Sequence, residues 1–135
     1  MSWQSKSFKS LKASLDRYFS KFIRLRDTKD GLGWCITCAR LFLYRQLDAG
    51  HFQTRDNLSI RWNEQNVNAQ CQGCNRFKGG RQYEHGIAID KKYGKGTAEM
   101  LLIKSKSIWK PTRFELNLLI LEYKSKIKDY DKIQG

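Results

Sequence analysis

The sequence has little proline, little histidine and few acidic residues. Its 135 residues include one proline and two histidines, and such a composition does not fit a disordered, proline-rich linker. No apolar run reaches the ~18 residues that span a bilayer, and the first ten residues, MSWQSKSFKS, lack the apolar core of a signal peptide. We therefore expect one soluble, unexported globular domain over residues 1–135, without a membrane partner.

Basic residues outnumber acidic ones by 26 to 13, which gives a net charge of +13. A charge of this size attracts a polyanion, so nucleic acid is the leading partner. Much of the excess lies in residues 5–26, where apolar side chains recur every three or four positions. This pattern predicts a basic amphipathic helix within residues 1–30, whose polar face is either solvated or in contact with phosphates.

The middle of the chain is read as short, irregular elements. DGLG (30–33) is predicted to end the first helix, because glycines accept the backbone conformation of a helix C-terminus. RLFLYRQLDAG (40–50) and LSIRW (58–62) read as two brief strands around the loop that carries the first histidine. Residues 66–77 are expected to form a turn entering a short helix, and residues 78–86 a turn-rich connection.

Two helices are predicted towards the C-terminus. The first covers residues 97–104, with Thr97 as candidate N-cap. The second runs from about Arg113 to Lys128, because Thr112 and Glu115 have the spacing of a capping box. Its apolar face is broad enough to pack on the domain or on a second copy of the chain.

The four cysteines form two Cys-x-x-Cys pairs, CITC and CQGC, separated by residues 39–70. Without an export signal the thiols are expected to stay reduced, and a redox pair or free thiols are the alternatives to a metal site. The two-residue gap lets both sulfurs of a pair face one tetrahedral ion, which predicts a structural zinc site. Its ligands are Cys35, Cys38, Cys71 and Cys74. Four thiolates fill the coordination sphere, so any chemistry requires a second site.

One histidine and two asparagines lie where the zinc would gather the chain. His51 follows a predicted strand, Asn66 precedes the second cysteine pair, and Asn75 follows Cys74 directly. A neutral imidazole can take a proton from water, and a hard divalent cation held by amide and carboxylate oxygens can polarise a phosphate. His51 is therefore a candidate base. The alternative is a histidine that is packed or solvated without a chemical role, as we expect for His85.

These motifs carry a resemblance to two related groups. CITC, DAGHF, NVNAQCQGCN and RFK resemble the HNH, or ββα-metal, nucleases, in which two strands and a helix hold one catalytic metal. LDAGHFQTR, IRWNEQNVNAQCQGCNRFKGG and the tail from YGKGTAEML to LEYKSKIKDY are similar to the phage NinG family, the group of the lambda recombination endonuclease Rap. The similarity covers about residues 10–130.

The resemblance implies an α+β fold. A small ββα-metal (HNH) core with the four-cysteine zinc site, built from two knuckles over residues 31–80, would be flanked by the N-terminal helix and by a helical C-terminal part over residues 81–135. It also implies site roles. His51 would be the general base, Asn66 would brace the loop and help to orient that histidine, and Asn75 would bind a catalytic Mg²⁺ or Mn²⁺.

The chain departs from the commonest HNH pattern at Gly50, where many members have an acidic or histidine metal ligand. Asp48-Ala-Gly-His51 instead is similar to the Asp-Arg-Gly-His motif of nonspecific ββα-metal nucleases. Asp48 is therefore a candidate ligand of the catalytic metal, directly or through water, and Glu64 is a weaker one. Basic residues close to the motif are candidate DNA-binding residues, with solvated surface charges as the alternative: Arg55, Arg61, Arg76 and Lys78.

The leading functional expectation is a metal-dependent DNA endonuclease that yields a 5′-phosphate and a 3′-OH. The resemblance further implies phage recombination in the host bacterial cytoplasm, cleavage of branched DNA such as Holliday junctions and D-loops, a homodimer, and phage or host recombination proteins as partners. Two alternatives stay open. One is an HNH nuclease acting on linear duplex, and the other is a non-catalytic zinc-knuckle DNA-binding module.

Overall fold

The computed structural model describes residues 2–134, with side chains through Tyr130. Within this range the chain is a mixed α+β fold, as predicted. Its α-helices are α1 (Phe8–Arg26), α2 (Leu58–Arg61), α3 (Gln82–Tyr93), α4 (Thr97–Ser105) and α5 (Arg113–Gln134). Its strands are β1 (Thr28–Lys29), β2 (Leu32–Trp34), β3 (Leu41–Leu43), β4 (Leu47–His51) and β5 (Val67–Cys71).

The two longest helices, α1 and α5, pack against each other through their apolar faces. The N-terminus of α1 is capped by Ser7, whose hydroxyl accepts a hydrogen bond from the Ser10 N–H at 3.0 Å. At the start of α5, Thr112 and Glu115 form the predicted capping box, with both bonds at 3.1 Å. The shared core is formed by Leu11, Leu15, Phe19, Phe22, Ile23, Leu116, Ile120, Tyr123 and Ile127. Both predicted helices are confirmed, and α5 continues beyond the expected end at Lys128.

The strands form two antiparallel sheets. One has the order β1-β2-β3, and the other pairs β4 with β5, so that Leu47 faces Cys71 and His51 faces Val67. The single strand predicted over residues 40–50 is therefore two strands. They are separated by a 3-10 turn in which the Gln46 side chain accepts a hydrogen bond from the Leu43 N–H at 2.9 Å.

The prediction of a strand over LSIRW is wrong, because Leu58–Arg61 forms the short helix α2. The true partner of the histidine strand is β5, which the sequence pattern did not indicate. All five residues of β5 are buried. Val67 joins the core between α1 and α5, and side chains of α3 reach Asn68 on the other face. A strand covered on both faces lacks the apolar-polar alternation of a half-exposed one. The short helix expected within residues 66–77 is one π-helical turn, Gly73–Phe77.

Three further expectations about element ends are wrong. Helix α1 ends at Arg26, and DGLG instead forms the turn that joins β1 to β2. The connection expected over residues 78–86 contains the first residues of α3. Thr97 is the first helical residue after Gly96 and does not cap the helix; its hydroxyl donates to the Gly94 carbonyl at 2.7 Å.

A buried polar cluster ties β5 to α1 and α3. The amide oxygen of Asn68 accepts hydrogen bonds from Arg26, Lys92 and Tyr93 at 3.1–3.2 Å. Asp27 accepts the Ala69 backbone N–H at 2.9 Å. These bonds fix β5, and with it the β4–β5 pair, against α1 and α3. None of the helices in the described range has the length and apolar character needed to cross a bilayer.

Candidate metal centre and candidate catalytic cavity

The four predicted zinc ligands lie together. Cys35 follows β2, Cys38 lies in the next turn, Cys71 ends β5, and Cys74 is in the π-helical turn. Their sulfurs are all within 4.8 Å of one another, and the sulfurs of Cys38 and Cys71 are 3.9 Å apart. A tetrahedral zinc with Zn–S bonds of about 2.3 Å has S···S separations of about 3.8 Å. The cluster can therefore bind zinc, and four thiolates would leave no coordination position for a substrate.

Backbone amides support this geometry. The N–H of Cys38 points at the Cys35 sulfur over 3.5 Å, and the N–H of Cys74 points at the Cys71 sulfur over 3.4 Å. Both pairs thus have the same local turn, in which a backbone donor faces the first sulfur of the pair. Such donors stabilise the negative charge of a thiolate, which is the form that binds a metal.

A separate surface cavity of about 490 Å³ brings His51 and Asn75 together. His51 is the last residue of β4, and Asn75 lies one residue after the final cysteine, in the π-helical turn. In the β4–β5 pair His51 lies beside the start of β5, whereas the turn with Asn75 follows the other end of β5. The pairing alone would separate the two positions, and the π-helical turn brings Asn75 back along β4 to the cavity. Asp16 and Arg55 also line this cavity.

The hydrogen bonding of His51 defines the proton position on its ring. Its Nε2 atom lies 2.9 Å from the carbonyl oxygen of Arg61. A carbonyl oxygen only accepts, so in the neutral ring Nε2 carries the proton and donates it. The other nitrogen, Nδ1, then has a free lone pair and can accept a proton from water.

The surroundings of His51 favour its neutral form. Burial lowers the pKa of His51 below its usual value, and the positive charge of Arg55 lowers it further. The Arg61 carbonyl and Asp16 act in the opposite direction but do not reverse the shift. The imidazole is therefore unprotonated at neutral pH, which is the state that a general base requires.

Asn66 is completely buried and braces the segment between His51 and its carbonyl partner. Its side-chain oxygen accepts the Gln53 N–H at 2.8 Å, and its side-chain nitrogen donates to the carbonyls of Gln53 and Ile60 at 3.0 and 3.2 Å. Both residues belong to the segment that leads from His51 to Arg61. One amide thus holds this segment at two points.

Asp48 orients the amide of Asn75. The Asn75 Nδ2 donates to Asp48 Oδ2 at 3.0 Å, so the amide oxygen faces away from this carboxylate. Arg76 donates to both oxygens of Asp48, at 2.9 Å each. Carboxylate and amide oxygens suit Mg²⁺ or Mn²⁺. Among the described residues none donates a hydrogen bond to the amide oxygen of Asn75, whereas each oxygen of Asp48 accepts at least one.

Gly50 leaves no room for a side chain at the position before His51. A Cβ atom at this position would clash with the amide oxygen of Gln70 and lie 2.9 Å from its Cβ. Gln70 is completely buried, and its side chain donates to the Gly80 carbonyl at 2.7 Å and to the Thr37 hydroxyl at 3.1 Å. Any side chain at position 50 would displace these bonds.

Asp16 holds two of the predicted DNA-binding residues. Its carboxylate accepts hydrogen bonds from Arg55 and Arg61, each at 3.0 Å, and from the Trp62 indole at 2.9 Å. The Arg61 side chain is only 13% exposed, whereas that of Arg55 is 57% exposed. The structure therefore places Arg61 to position its carbonyl for His51, and Arg55 where a phosphate can reach it.

The other two predicted DNA-binding residues lie beyond Asn75 at the surface. Arg76 is exposed and paired with Asp48. Lys78 is also exposed, and within the described side chains no carboxylate forms an ion pair with it. These two cations are more accessible to a large polyanion than Arg61 is.

Glu64 and His85 lie outside the candidate catalytic cavity. The Glu64 carboxylate accepts hydrogen bonds from the Tyr123 hydroxyl at 2.9 Å and the Lys126 ammonium at 2.8 Å, against α5. His85 is completely buried in α3 beside Phe52. Burial lowers the pKa of His85 to about 4, and the neighbouring His51 and Lys92 further disfavour a positive charge on its ring. The structure thus brings neither residue to a position where it faces Asn75.

Two residues of the site were missed by sequence reasoning. Asp16 is the single acid of the basic N-terminal stretch, and a lone acid on a basic helix was a signal that it has a specific partner. Gln70 carried no such signal, because its role depends on Gly50 and Gly80, which are adjacent to it only in the folded chain.

Comparisons with known proteins place these residues in a family. The family model described as Bacteriophage Lambda NinG protein matches residues 3–133. The chain is 31% identical over 110 residues to Protein ninG of Escherichia phage lambda, which is 80% of this chain and 51% of that protein. Protein ninG of Salmonella phage P22 gives the same identity and coverage. The chain thus spans about half the length of these relatives, and no solved structure matches it. It belongs to the NinG family.

Proposed function

We propose that this protein is a metal-dependent DNA endonuclease of the HNH type, which hydrolyses phosphodiester bonds in branched DNA. One observation carries the proposal. The Nε2–H of His51 donates to the Arg61 carbonyl at 2.9 Å, which leaves the Nδ1 lone pair of a neutral ring to accept a proton, and His51 lines the same cavity as Asn75. A fixed tautomer next to an oxygen ligand suits the activation of water for attack on a phosphate.

The order of the elements supports the HNH assignment. The antiparallel strands β4 and β5 carry His51 and lead into the helical turn with Asn75, which is the order of the ββα-metal nucleases. The helical part consists here of one turn, Gly73–Phe77, followed by the separate helix α3. The four-cysteine cluster supports the same region as a structural zinc site, since it joins the end of β5 to the turn that follows β2.

Each residue of the site has a proposed role. His51 takes the proton of the attacking water, and Asn66 holds the segment that positions the Arg61 carbonyl. Asn75 supplies an amide oxygen to the metal, and Asp48 fixes the direction of that amide. A bound Mg²⁺ or Mn²⁺ supplies positive charge that polarises the phosphate and stabilises the leaving oxygen.

Binding of a phosphate by Arg76 would change whether Asp48 is paired with Arg76 or available to the metal. Its guanidinium is paired with the Asp48 carboxylate but is 55% exposed, so an incoming phosphate offers it a second anion. Movement of Arg76 towards the phosphate would free Asp48 to act as a further metal ligand, directly or through water. Arg55 and Lys78 are the other proposed phosphate contacts.

The test is cleavage of a labelled four-way junction and of a linear duplex of equal length, at matched salt because a shared electrostatic term dominates binding to both. Reactions contain Mg²⁺, Mn²⁺ or EDTA, with wild type, His51→Ala and Lys95→Ala. Lys95 is an exposed residue outside the cavity and serves as the control. We expect metal-dependent, paired cuts in the junction by wild type and Lys95→Ala. His51→Ala should lose cleavage by 10²-fold or more, on the order expected for a general base.

The alternatives give different results in the same experiment. Equal cleavage of junction and linear duplex would show an HNH nuclease without branch selectivity. Binding without cleavage under every metal would refute the endonuclease proposal and leave a zinc-knuckle DNA-binding module, for which the net charge of +13 and the cysteine cluster suffice. Zinc content and circular dichroism of His51→Ala must match wild type, so that lost cleavage is not a consequence of unfolding.

Assembly and biological setting are proposed from the family alone. A homodimer would present two sites to paired strands of a junction. Phage recombination in the host cytoplasm, D-loops as further substrates, and phage or host recombination proteins as partners are inferred on the same basis.

A further inference from the structure

Phe77 is an aromatic side chain held almost entirely in solvent. It is 83% exposed, although full burial of a phenylalanine side chain stabilises a fold by roughly 1.5–3 kcal/mol relative to leaving it exposed. It ends the π-helical turn that begins at Gly73. A large apolar group in this position contributes little to the folded chain and is available to contact a ligand.

The position of Phe77 is tied to the candidate catalytic cavity. Asn75 precedes it by two residues and Gly79 follows it by two, and both line the cavity. At about 3.8 Å per residue step, the Cα of Phe77 is no farther than about 7.6 Å from the Cα of either residue. Phe77 therefore stands at the rim of the cavity that holds His51.

The segment that carries Phe77 is anchored at both ends. On one side Cys74 belongs to the four-cysteine cluster. On the other side the buried Gln70 donates to the Gly80 carbonyl at 2.7 Å. Gly79 and Gly80 have φ values of +61° and +77°, and each faces open space where a Cβ would stand. The aromatic ring is thus presented on a short projecting segment whose ends are fixed, which lowers the entropy cost of binding through it.

The charges beside Phe77 indicate the chemistry of the ligand. Arg76 and Lys78 flank it in sequence, and both are exposed. An apolar ring between two accessible cations matches nucleic acid, which offers flat apolar bases between phosphates. An apolar protein surface would instead leave both cations to be desolvated without a partner.

We propose that Phe77 is a specificity residue that stacks on an exposed base, or enters an opened base step, at the branch point of the DNA. This inference rests on the proposed function, because it assigns substrate selectivity to the rim of that same cavity. In a continuous duplex, Phe77 would first have to separate two stacked base pairs, at a cost of a few kcal/mol per step. At a branch point or a bulge the stack is already interrupted, so the cost is lower and the stacking contact is gained.

The experiment measures binding rather than cleavage. Affinities are measured with Ca²⁺ in place of Mg²⁺, at one salt concentration, for a four-way junction, a duplex with one bulged base, and a continuous duplex. The variants are wild type, Phe77→Ala, Phe77→Trp and Phe114→Ala. Phe114 provides the same substitution at a half-exposed phenylalanine on α5, where it packs against Trp3.

We expect Phe77→Ala to weaken binding to the junction and to the bulged duplex by roughly tenfold, as expected for loss of one aromatic stacking contact. Binding to the continuous duplex should change by less than about twofold, since phosphate contacts dominate there. Phe77→Trp should retain or improve junction affinity, because an indole also offers a flat stacking surface. Phe114→Ala should bind all three substrates as wild type does.

Any of the following results would overturn the inference. The first is unchanged junction affinity in Phe77→Ala. The second is an equal loss for all three substrates, or a wild type that does not prefer the junction and the bulge. The third is a change in oligomeric state on sedimentation without a change in junction affinity, which would make Phe77 a contact between protein chains. Failure of the proposed function is separate, because it is read from cleavage with Mg²⁺ or Mn²⁺ in wild type, whereas the role of Phe77 is read from binding alone.

Discussion

Replacing Asn66 with Asp tests whether the segment between His51 and Arg61 is held by a side-chain amide that both accepts and donates. The exchange keeps the size of the side chain and its acceptor for the Gln53 N–H. It removes the donor that now serves the carbonyls of Gln53 and Ile60. A carboxylate would instead face two carbonyl oxygens at a position that is 0% exposed.

The magnitudes follow from the three hydrogen bonds. Asn66→Ala removes all of them, and at about 0.5–1.5 kcal/mol net each it should lower the free energy of unfolding by about 2–4 kcal/mol. At neutral pH the free energy of unfolding of Asn66→Asp should be lower than that of Asn66→Ala by about 1 kcal/mol or more, because the variant buries an unpaired charge against carbonyl dipoles. Burial raises the pKa of such a carboxyl above its unfolded value of about 3.9.

The sign of the pH effect distinguishes this account from a simple loss of packing. Between the unfolded and the raised folded pKa, the folded Asn66→Asp protein binds more protons than the unfolded one, so its stability falls as pH rises. Relative to wild type at the same pH, the variant should therefore recover stability between pH 7.5 and pH 5. Asn66→Ala carries no titrating group and should show a constant difference from wild type.

Urea unfolding of the zinc-loaded proteins at the two pH values measures these differences. Asn57→Asp is the control, since it makes the same chemical change at an exposed residue nearby whose side chain forms no capping bond, and it should stay within about 0.5 kcal/mol of wild type. Asn66 does not brace this segment through its amide if Asn66→Asp unfolds at the wild-type urea concentration at pH 7.5, or if it is more stable than Asn66→Ala there. A loss of cleavage in folded Asn66→Ala would additionally connect the brace to His51.

Three other predictions concern the metal centre, the buried histidine and the close approach of β4 to β5. Removing zinc with a chelator, or Cys38→Ser, should abolish the cooperative thermal transition in circular dichroism, whereas omitting Mg²⁺ should leave it unchanged; an unaltered melting curve after zinc loss would contradict the structural role. His85 has a folded pKa of about 4, below its unfolded value of about 6.5, so as pH drops from 6.5 towards 4 the unfolded chain binds a proton that the folded chain does not, and the free energy of unfolding should fall. His85→Gln removes this titrating group and should reduce the pH dependence of the free energy measured by urea unfolding. An unchanged pH dependence would contradict the assignment to His85. Gly50→Ala should lower the free energy of unfolding by about 1–3 kcal/mol through displacement of Gln70, while Gly73→Ala, whose added Cβ meets only the Cys71 sulfur at 3.9 Å, should cost clearly less in the same assay.

The helices that begin with a local signal were predictable. The start of α5 depends on Thr112 and Glu115, which are three positions apart, and the buried face of α1 repeats within single turns. The cysteine cluster was predictable for the same reason, since each pair is defined by a two-residue gap. Periodicity and short spacings are properties of neighbouring residues, so they can be read before the chain is folded.

The pairing of β4 with β5 was not predictable in this way. Both faces of β5 are covered, so its polar residues Asn68 and Gln70 are as buried as Val67. LSIRW has the composition of a strand but forms a helix, in which Ile60 joins Ile89 and Leu101 in a small apolar core. In both segments the packing of distant residues determined the secondary structure, although the local sequence favoured a different one. The division of the chain into residues 1–30, 31–80 and 81–135 of a single domain stays a prediction.

The sequence by itself determined which residues are available for chemistry: four cysteines at knuckle spacing, one histidine between the two knuckles, two asparagines near the second knuckle, and an excess of cations. Only the tertiary structure decided how they are used. In the fold, His51 is hydrogen-bonded to the carbonyl of Arg61, ten residues away. Asp48 forms an ion pair with Arg76, and Asp16 forms ion pairs with Arg55 and Arg61. Residue type and spacing state what a side chain can donate, accept or bind, whereas its proton position and its charge partner depend on groups that reach it only when distant segments pack together.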